Sequence, residues 1–213
     1  MFDFYENDID LIEYQDNSQD IERLVNQIDI SSKLKTLLKL VDSINNEAKT
    51  MIVWCIFIKS MTTIKRYLDK MGIKAAIISG DVDQQNRNEI IKGFKNKEID
   101  VLITNPHTLA ESVSLHKTCH DAIYFEYSFN LVHLLQSKDR IHRLGLKDDD
   151  YTQYYYLQQY YELDQGEYSL GEKVYERLTE KEQVMLEAID NDKLEILPTD
   201  DEDLDFFFKN VFH

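Results

Sequence analysis

The sequence predicts an α/β fold with a largely parallel sheet and helices on both of its faces. Apolar segments rich in β-branched and aromatic residues, such as residues 50–58 and 100–104, have the composition of strands that are covered on both sides. Segments with helical periodicity separate them along the chain. Strands that alternate with helices of roughly ten to fourteen residues are typical of βαβ units, whose strands run parallel.

Five strands are predicted from their apolar, β-branched or aromatic composition. They cover residues 50–58, 74–79, 100–104, 121–126 and 151–157. Ligands of parallel sheets bind beyond the carboxyl ends of the strands. The loops at residues 79–83, 104–118 and 126–130 are therefore the expected location of a functional site.

Helices are predicted from apolar residues at helical spacing and from the side chains that can cap them. They begin at Ser31 or Ser32, Ser60, Asp83, Asn130 and Thr179, the last of which forms a capping box with Glu182. Gly72 and Gly145 are expected just past two helix ends, where glycine is favoured. The helix that begins at Asn130 is predicted to reach Arg143.

Charge divides the chain, whose net charge is −16, into three parts. Residues 1–30 hold nine acidic and one basic residue and predict an acidic linker or N-terminal extension. The body is basic, with eighteen basic and twelve acidic residues in residues 31–147, and the domain is expected to end with the last strand, near residue 160. Residues 161–213 predict an acidic helical extension with an aromatic tail. A basic body suits a polyphosphate ligand, although acidic flanks that only solubilise the chain give the same composition.

Several classes of protein are excluded by composition. The longest apolar run, residues 51–58, is far shorter than the ~20 residues that span a bilayer, so no membrane partner is expected. The first ten residues are acidic and predict no signal peptide. Cys55 and Cys119 form no CxxC pair, which favours the reducing cytoplasm over a disulfide framework or a zinc site.

The segment QSKDRIHRLG, residues 136–145, carries the strongest functional signal. On a continuous helix Gln136, Arg140 and Arg143 share one face, and the planar donors of arginine suit phosphate oxygens. In isolation the same arginines could instead pair with Asp139 or face solvent.

The order of DVLITNP, LAESVSLH, DAIYFEYSFN and QSKDRIHRLG within about residues 31–160 resembles the second RecA-like domain of superfamily 2 helicases. The resemblance is to Swi/Snf-type DNA-dependent ATPases, in a bacterial or phage subset. It implies that Arg140 and Arg143 are arginine fingers and that Gln136 supports the same interface. ATP and Mg²⁺ would be held mainly by a first RecA-like domain, in the same chain or another.

The same resemblance implies contacts with the phosphates of double-stranded DNA. Ser79, Gly80 and Arg87 match the family's motif between the second strand and its helix. Thr108, Ser112 and Ser114 lie in TLAESVSLH, which resembles the motif that contacts DNA and couples it to the ATP site. This segment departs from the broad family, which has glycines where Glu111, Ser112 and Ser114 stand.

The chain contains no GxxxxGK[ST] loop to cradle phosphates and no DExH-like segment before the domain. The resemblance places both motifs in a first RecA-like domain, and it therefore implies that this chain is the C-terminal motor half of a DNA translocase and is inactive alone. The alternative is a non-catalytic module that docks on a complete helicase, with Phe206, Phe207, Phe208 and Phe212 in its contact surface or folded back on the domain. No metal site is predicted, and His116 and His120 alone have a spacing that could serve one.

Overall fold

The computed structural model describes residues 30–109, 113–142, 151–163 and 166–190, and in these ranges five strands form one sheet. The strands are β1 (Thr50–Trp54), β2 (Ala75–Ile78), β3 (Val101–Thr104), β4 (Cys119–Tyr124) and β5 (Gln153–Tyr156). Their order is β2-β3-β1-β4-β5, and every neighbouring pair is parallel. The predicted parallel sheet is thus confirmed.

The described helices are α1 (Ser32–Asn46), α2 (Ile58–Lys70), α3 (Gln84–Lys95), α4 (Leu131–Lys138) and α5 (Leu170–Asp190). Before α5 the chain forms an antiparallel hairpin of β6 (Tyr161–Leu163) and β7 (Gly166–Tyr168), which the sequence analysis did not predict. The strands of this hairpin are only three residues long, too short for a clear alternating pattern.

Alternate residues of β1 enter two separate apolar clusters, one on each face of the sheet. Met51 and Val53 pack in the cluster that contains the apolar residues of α1 and α2. Ile52 and Trp54 pack in the cluster formed with α3, α4 and α5. The molecule therefore has three layers, with helices on both faces of a central sheet.

A row of aromatic rings joins α5 to the sheet, and we call it the tyrosine ladder: Tyr124, Tyr156 and Tyr175. Tyr124 stacks on Tyr156 with ring centroids 4.7 Å apart, and Tyr156 lies 4.7 Å from Tyr175. The chain's one tryptophan, Trp54, is fully buried beside this ladder, 6.3 Å from Tyr124. Its indole Nε1 has no hydrogen-bond partner among the described residues.

Capping side chains explain most of the helix starts. Ser31, Asp83 and Asn130 accept hydrogen bonds from the backbone amides three residues further on, as predicted. Gly72 follows the end of α2 with φ of +76°, a conformation that glycine adopts without strain.

The predicted start of α2 at Ser60 is wrong, and the strand before it is shorter than predicted. β1 ends at Trp54 and α2 begins at Ile58, after Phe57. The carboxylate of Glu126, in another part of the chain, holds the loop before this helix, because it accepts from the amides of Ile56 and Phe57 at 2.9 and 3.0 Å. A contact between distant residues leaves no signal in the local sequence.

The predicted helix start at Thr179 is also wrong. Thr179 lies within α5, and its hydroxyl donates to the carbonyl of Tyr175 at 3.0 Å. The helix is capped at Ser169, whose Oγ accepts from the amide of Glu172 at 3.2 Å. Val174 and Leu178, which precede Thr179, pack in the apolar cluster with the sheet.

Some predictions fall outside the described residues. These are the acidic segment at residues 1–29, Ser112, Arg143, Gly145 and the phenylalanines of the tail. The division into three domains remains a prediction. Among the described residues, no helix combines the length and apolar character that crossing a bilayer requires.

Candidate nucleic-acid and nucleotide interface

The carboxyl ends of β1, β2 and β3 are tied together by two side chains. Thr104, the last residue of β3, donates from Oγ1 to the carbonyl of Ile78 at 2.9 Å. Asn105 donates from Nδ2 to the carbonyl of Ile56 at 3.3 Å, and its Oδ1 accepts from the amide of His107 at 2.8 Å. The loops that follow these strands are thereby held at one edge of the sheet, where the sequence analysis placed the site.

Arg87 joins two of the loops that were predicted to contact nucleic acid. It lies on the first turn of α3, and its Nη1 and Nη2 donate to the carbonyls of Thr108 and Val82, each at 3.4 Å. Its Nε is buried with no partner among the described residues. The structure thus brings the guanidinium of Arg87 against the backbone of Thr108, and in this state both terminal nitrogens contact carbonyls.

Ser79 and Gly80 follow β2 beside this arginine. Ser79 is buried, and its carbonyl accepts from the amide of Val82 at 3.2 Å. Gly80 is exposed, and a Cβ placed on it would meet no atom within 4 Å. The backbone at Gly80 is therefore open to an approaching ligand.

Ser114 and Arg140 lie on two segments that share a backbone hydrogen bond. The amide of Leu115, next to Ser114, donates to the carbonyl of Arg140 at 2.9 Å. The hydroxyl of Ser114 lies 2.5 Å from Nδ1 of His116. The two segments are therefore joined through the main chain.

The predicted continuous helix from Asn130 to Arg143 is wrong, because α4 ends at Lys138. The side chain of Ser137 is one reason for this early end. Its Oγ donates to the carbonyl of Leu134 at 2.6 Å and lies 2.7 Å from the hydroxyl of Tyr124.

Arg140 consequently lies in a turn after α4 and does not share a helical face with Gln136. Arg140 is 8% exposed, whereas Gln136 is half-buried on α4. The predicted exposed stripe of guanidiniums is therefore not formed by Arg140, and Arg143 lies beyond the described residues.

Glu126, which the sequence analysis did not single out, organises the loop after β1. In addition to the two amides, its carboxylate accepts a hydrogen bond from the hydroxyl of Ser60 at 2.5 Å. Burial lowers the pKa of the nearby Lys33, and the charge of Glu126 acts in the opposite direction. The available signal was an acidic residue two positions after a buried strand, at the edge where sites form.

A cavity of about 330 Å³ opens at the carboxyl ends of β1 and β4, where the connections that follow these neighbouring strands lead to opposite sides of the sheet. Asn105 and Asn130 lie on its wall, and the rings of His107 and His133 meet edge to face with centroids 5.2 Å apart. His107 and His133 are too far apart in the chain for their contact to be predicted from spacing.

Metal coordination is not supported by the side chains that the structure describes. No three His, Cys, Asp or Glu residues among them could hold one ion. His116 and His120 do not share a helix, since His116 lies in a turn and His120 in β4.

Comparison with known proteins identifies residues 32–145 as a helicase conserved C-terminal domain. The chain is 29% identical over 128 residues to the ATP-dependent RNA helicase DBP3 of Lodderomyces elongisporus. This match covers 60% of this chain and 22% of that protein. It is 24% identical over 121 residues to the ATP-dependent helicase brm of Drosophila melanogaster, with coverages of 56% and 7%. The matched region thus spans about a fifth of the first relative and less of the second.

The crystal structure of the C-terminal part of the Fun30 ATPase domain has the same fold. The TM-score is 0.59 at 22% identity, and the match covers 70% of this chain and 45% of that one. This likeness confirms the RecA-like fold that the resemblance implied. Because the family match extends over more than half of the residues of this chain, the chain belongs to the helicase conserved C-terminal domain family.

Proposed function

We propose that this chain is the C-terminal motor half of an ATP-dependent, Swi/Snf-type translocase that moves along double-stranded DNA. Membership in the helicase C-terminal family supports the ATP-dependent helicase class. The observation that carries the proposal is the hydrogen bond from the amide of Leu115 to the carbonyl of Arg140, at 2.9 Å. It joins the segment proposed to contact DNA to the segment proposed to contact ATP.

The proposed DNA track consists of the loops after β2 and β3. It includes Ser79, Gly80, Arg87, Thr108, Ser112 and Ser114. The exposed backbone at Gly80 can approach a phosphate closely, and Arg87 can exchange a carbonyl contact for a phosphate oxygen. Such contacts position a strand without selecting its bases, so we expect no sequence preference.

The proposed contribution to ATP hydrolysis is charge neutralisation by Arg140 and Arg143, with Gln136 supporting their segment. An arginine finger contributes about 10³ to 10⁵ in rate to phosphoryl transfer. ATP and Mg²⁺ would be held by a first RecA-like domain, since this chain carries no phosphate-cradling loop in its sequence.

The first experiment is purification of the tagged protein from its source cells, followed by mass spectrometry of the assembly. We expect a P-loop and a DExH-like segment in the same assembly, either in a longer form of this chain or in a partner. In that assembly R140A and R143A should each lower DNA-stimulated ATPase activity by roughly 10³ or more with DNA binding retained.

The matched control is R66A, which removes an exposed arginine on α2. It should leave the ATPase rate unchanged. An assembly without a P-loop, or full activity in both R140A and R143A, would contradict the motor proposal.

DNA tracking is tested by the salt dependence of affinity for duplexes of DNA and of RNA. Phosphate contacts give a linear fall of log affinity with log salt, and R87A should weaken binding and reduce that slope by about one. R66A again serves as the control. The RNA duplex is included because the curated relative DBP3 is named an RNA helicase; tighter binding to RNA than to DNA would overturn the DNA assignment.

A second candidate is a non-catalytic module that regulates a complete helicase, and the burial of Arg140 favours it. At 8% exposure in this chain, the Arg140 residue offers little surface to a nucleotide on another domain. In that case the assembly contains an intact helicase, and R140A leaves the effect of this chain on its partner unchanged.

A further inference from the structure

A polar cavity of about 200 Å³ lies at the amino-terminal edge of the sheet, opposite the interface described above. It opens between the start of β1, the start of β4 and Tyr151, which lies two residues before β5. The residues of its lining that matter here are Lys49, Lys97, Lys117, His120, Asp121 and Tyr151. A water molecule occupies about 30 Å³ in the liquid, so the cavity has room for a small oxyanion.

Asp121 is buried in the wall of this cavity with an unused acceptor. Its residue is 2% exposed, and its Oδ1 accepts from the hydroxyl of Tyr155 at 3.2 Å. Oδ2 has no hydrogen-bond partner among the described residues, and neither does the buried Nδ1 of His120. Buried polar atoms without partners are rare and unfavourable, which indicates that both atoms are positioned for a ligand.

The rim of the cavity is cationic. Lys49 is held by the carboxylate of Glu47 at 2.6 Å and by the hydroxyl of Tyr151 at 2.7 Å. Lys97 and Lys117 are exposed, and neither makes an ion pair with a residue that the structure describes. Two lysines without ion pairs among the described residues therefore line a cavity whose wall contains an unpaired carboxylate oxygen.

We propose that this cavity binds inorganic phosphate in a form that still carries a proton. The P–O–H group donates to Oδ2 of Asp121, and Lys97 and Lys117 donate to the remaining phosphate oxygens. His120 can take either role through Nδ1, according to its tautomer. The site is separate from the proposed DNA and ATP contacts and does not rest on the proposed function.

Only a protonated oxyanion satisfies both parts of the site. The lysines require acceptors, which every oxyanion offers, whereas a buried carboxylate requires a donor and repels an anion that has none. Sulfate carries no proton at neutral pH, and a phosphomonoester loses its last one above its second pKa of about 6. Burial raises the pKa of Asp121, partly offset by the Tyr155 hydrogen bond and by the charge of Lys49.

The test is isothermal titration of the full chain with phosphate, sulfate and methyl phosphate, at pH 7.5 and constant ionic strength. We expect phosphate to bind at least ten times more tightly than either of the other anions. D121N replaces the carboxylate by an amide that can donate to sulfate, so it should remove or reverse the preference for phosphate. D42N makes the same chemical change on the exposed face of α1 and should leave the preference intact.

The lysine variants test the other half of the site. K97M and K117M should weaken phosphate and sulfate binding by similar factors and keep the wild-type preference, because both anions accept from lysine. Equal affinities of the wild-type chain for phosphate and sulfate would overturn the proposal, whether or not D121N folds. So would an unchanged preference in D121N with a native circular dichroism spectrum.

Discussion

The carboxylate of Glu126 binds three groups in the segment that runs from the end of β1 into the first turn of α2. It accepts from two backbone amides and one hydroxyl, those of Ile56, Phe57 and Ser60. The two amides belong to the residues that immediately precede α2, which has no side-chain cap from its own first turn. One side chain therefore fixes both the loop and the start of a helix.

Replacing Glu126 by alanine should lower the free energy of unfolding by about 1 to 3 kcal/mol, because the amides and the hydroxyl lose their acceptor. Urea denaturation followed by circular dichroism measures the change. The matched control is E89A on the exposed face of α3, which should stay within about 0.5 kcal/mol of wild type. Equal effects of the two substitutions would show that the contacts of Glu126 do not stabilise the loop before α2.

At the scale of elements, α5 shows how a local pattern can mark two different starts. Ser169 and Glu172, like Thr179 and Glu182, have the spacing of a capping box. In the structure the first pair marks the start of the helix, and Ser169 is 1% exposed. The apolar residues Val174 and Leu178, which lie before the second pair, were the signal that α5 begins earlier.

Two substitutions in α5 should therefore have different effects. S169A should lower the free energy of unfolding by about 1 kcal/mol, because the amide of Glu172 loses its acceptor. T179A should be neutral or slightly stabilising, since alanine has the higher helix propensity within a helix. Thermal unfolding of both variants measures the difference, and a larger loss in T179A would contradict this account of the helix start.

Most features with local causes were predicted from the sequence, whereas the features with distant causes were not. Ser31, Asp83 and Asn130 act on amides three residues away, and all three caps were predicted correctly. The loop before α2 is held by Glu126, 66 residues after Ser60, and this contact could not be predicted from the neighbouring sequence. The early end of α4 depends on Ser137 meeting Tyr124 in the folded core.

The position of the candidate site was predicted from the sequence, but the contacts between its residues were not. Its position at the carboxyl edge follows from the parallel topology, which the strand pattern indicates. The contact of Arg87 with Thr108 was not predictable, because it depends on how two loops pack. The burial of Arg140 likewise follows from the end of α4 at Lys138.

At the scale of the whole molecule, buried tyrosines make the free energy of unfolding fall at alkaline pH. Burial raises the pKa of Tyr127 and of Tyr154 to about 12, and it raises the pKa of Tyr124 and Tyr156 in the same direction. In the unfolded chain these groups ionise near pH 10. The folded state then holds more protons than the unfolded state, so stability falls as pH rises above that value.

We expect the free energy of unfolding to be constant up to about pH 9.5 and to fall by about 2 kcal/mol by pH 11.5, allowing for partial exposure of the rings. Urea titrations followed by circular dichroism at several pH values measure this fall. Y154F should make it shallower, whereas Y161F, which changes an exposed ring, should follow the wild-type curve. A wild-type curve that stays flat through pH 11.5 would contradict this assignment.

The position of Trp54 provides an intrinsic fluorescence probe for these measurements. A fully buried indole emits at shorter wavelength than a hydrated one, and tyrosine rings stacked nearby pass their excitation to it. Ionisation of a ladder tyrosine quenches the emission without moving its maximum, whereas unfolding shifts the maximum to longer wavelength. One unlabelled sample can therefore distinguish proton loss inside the native core from loss of the core itself.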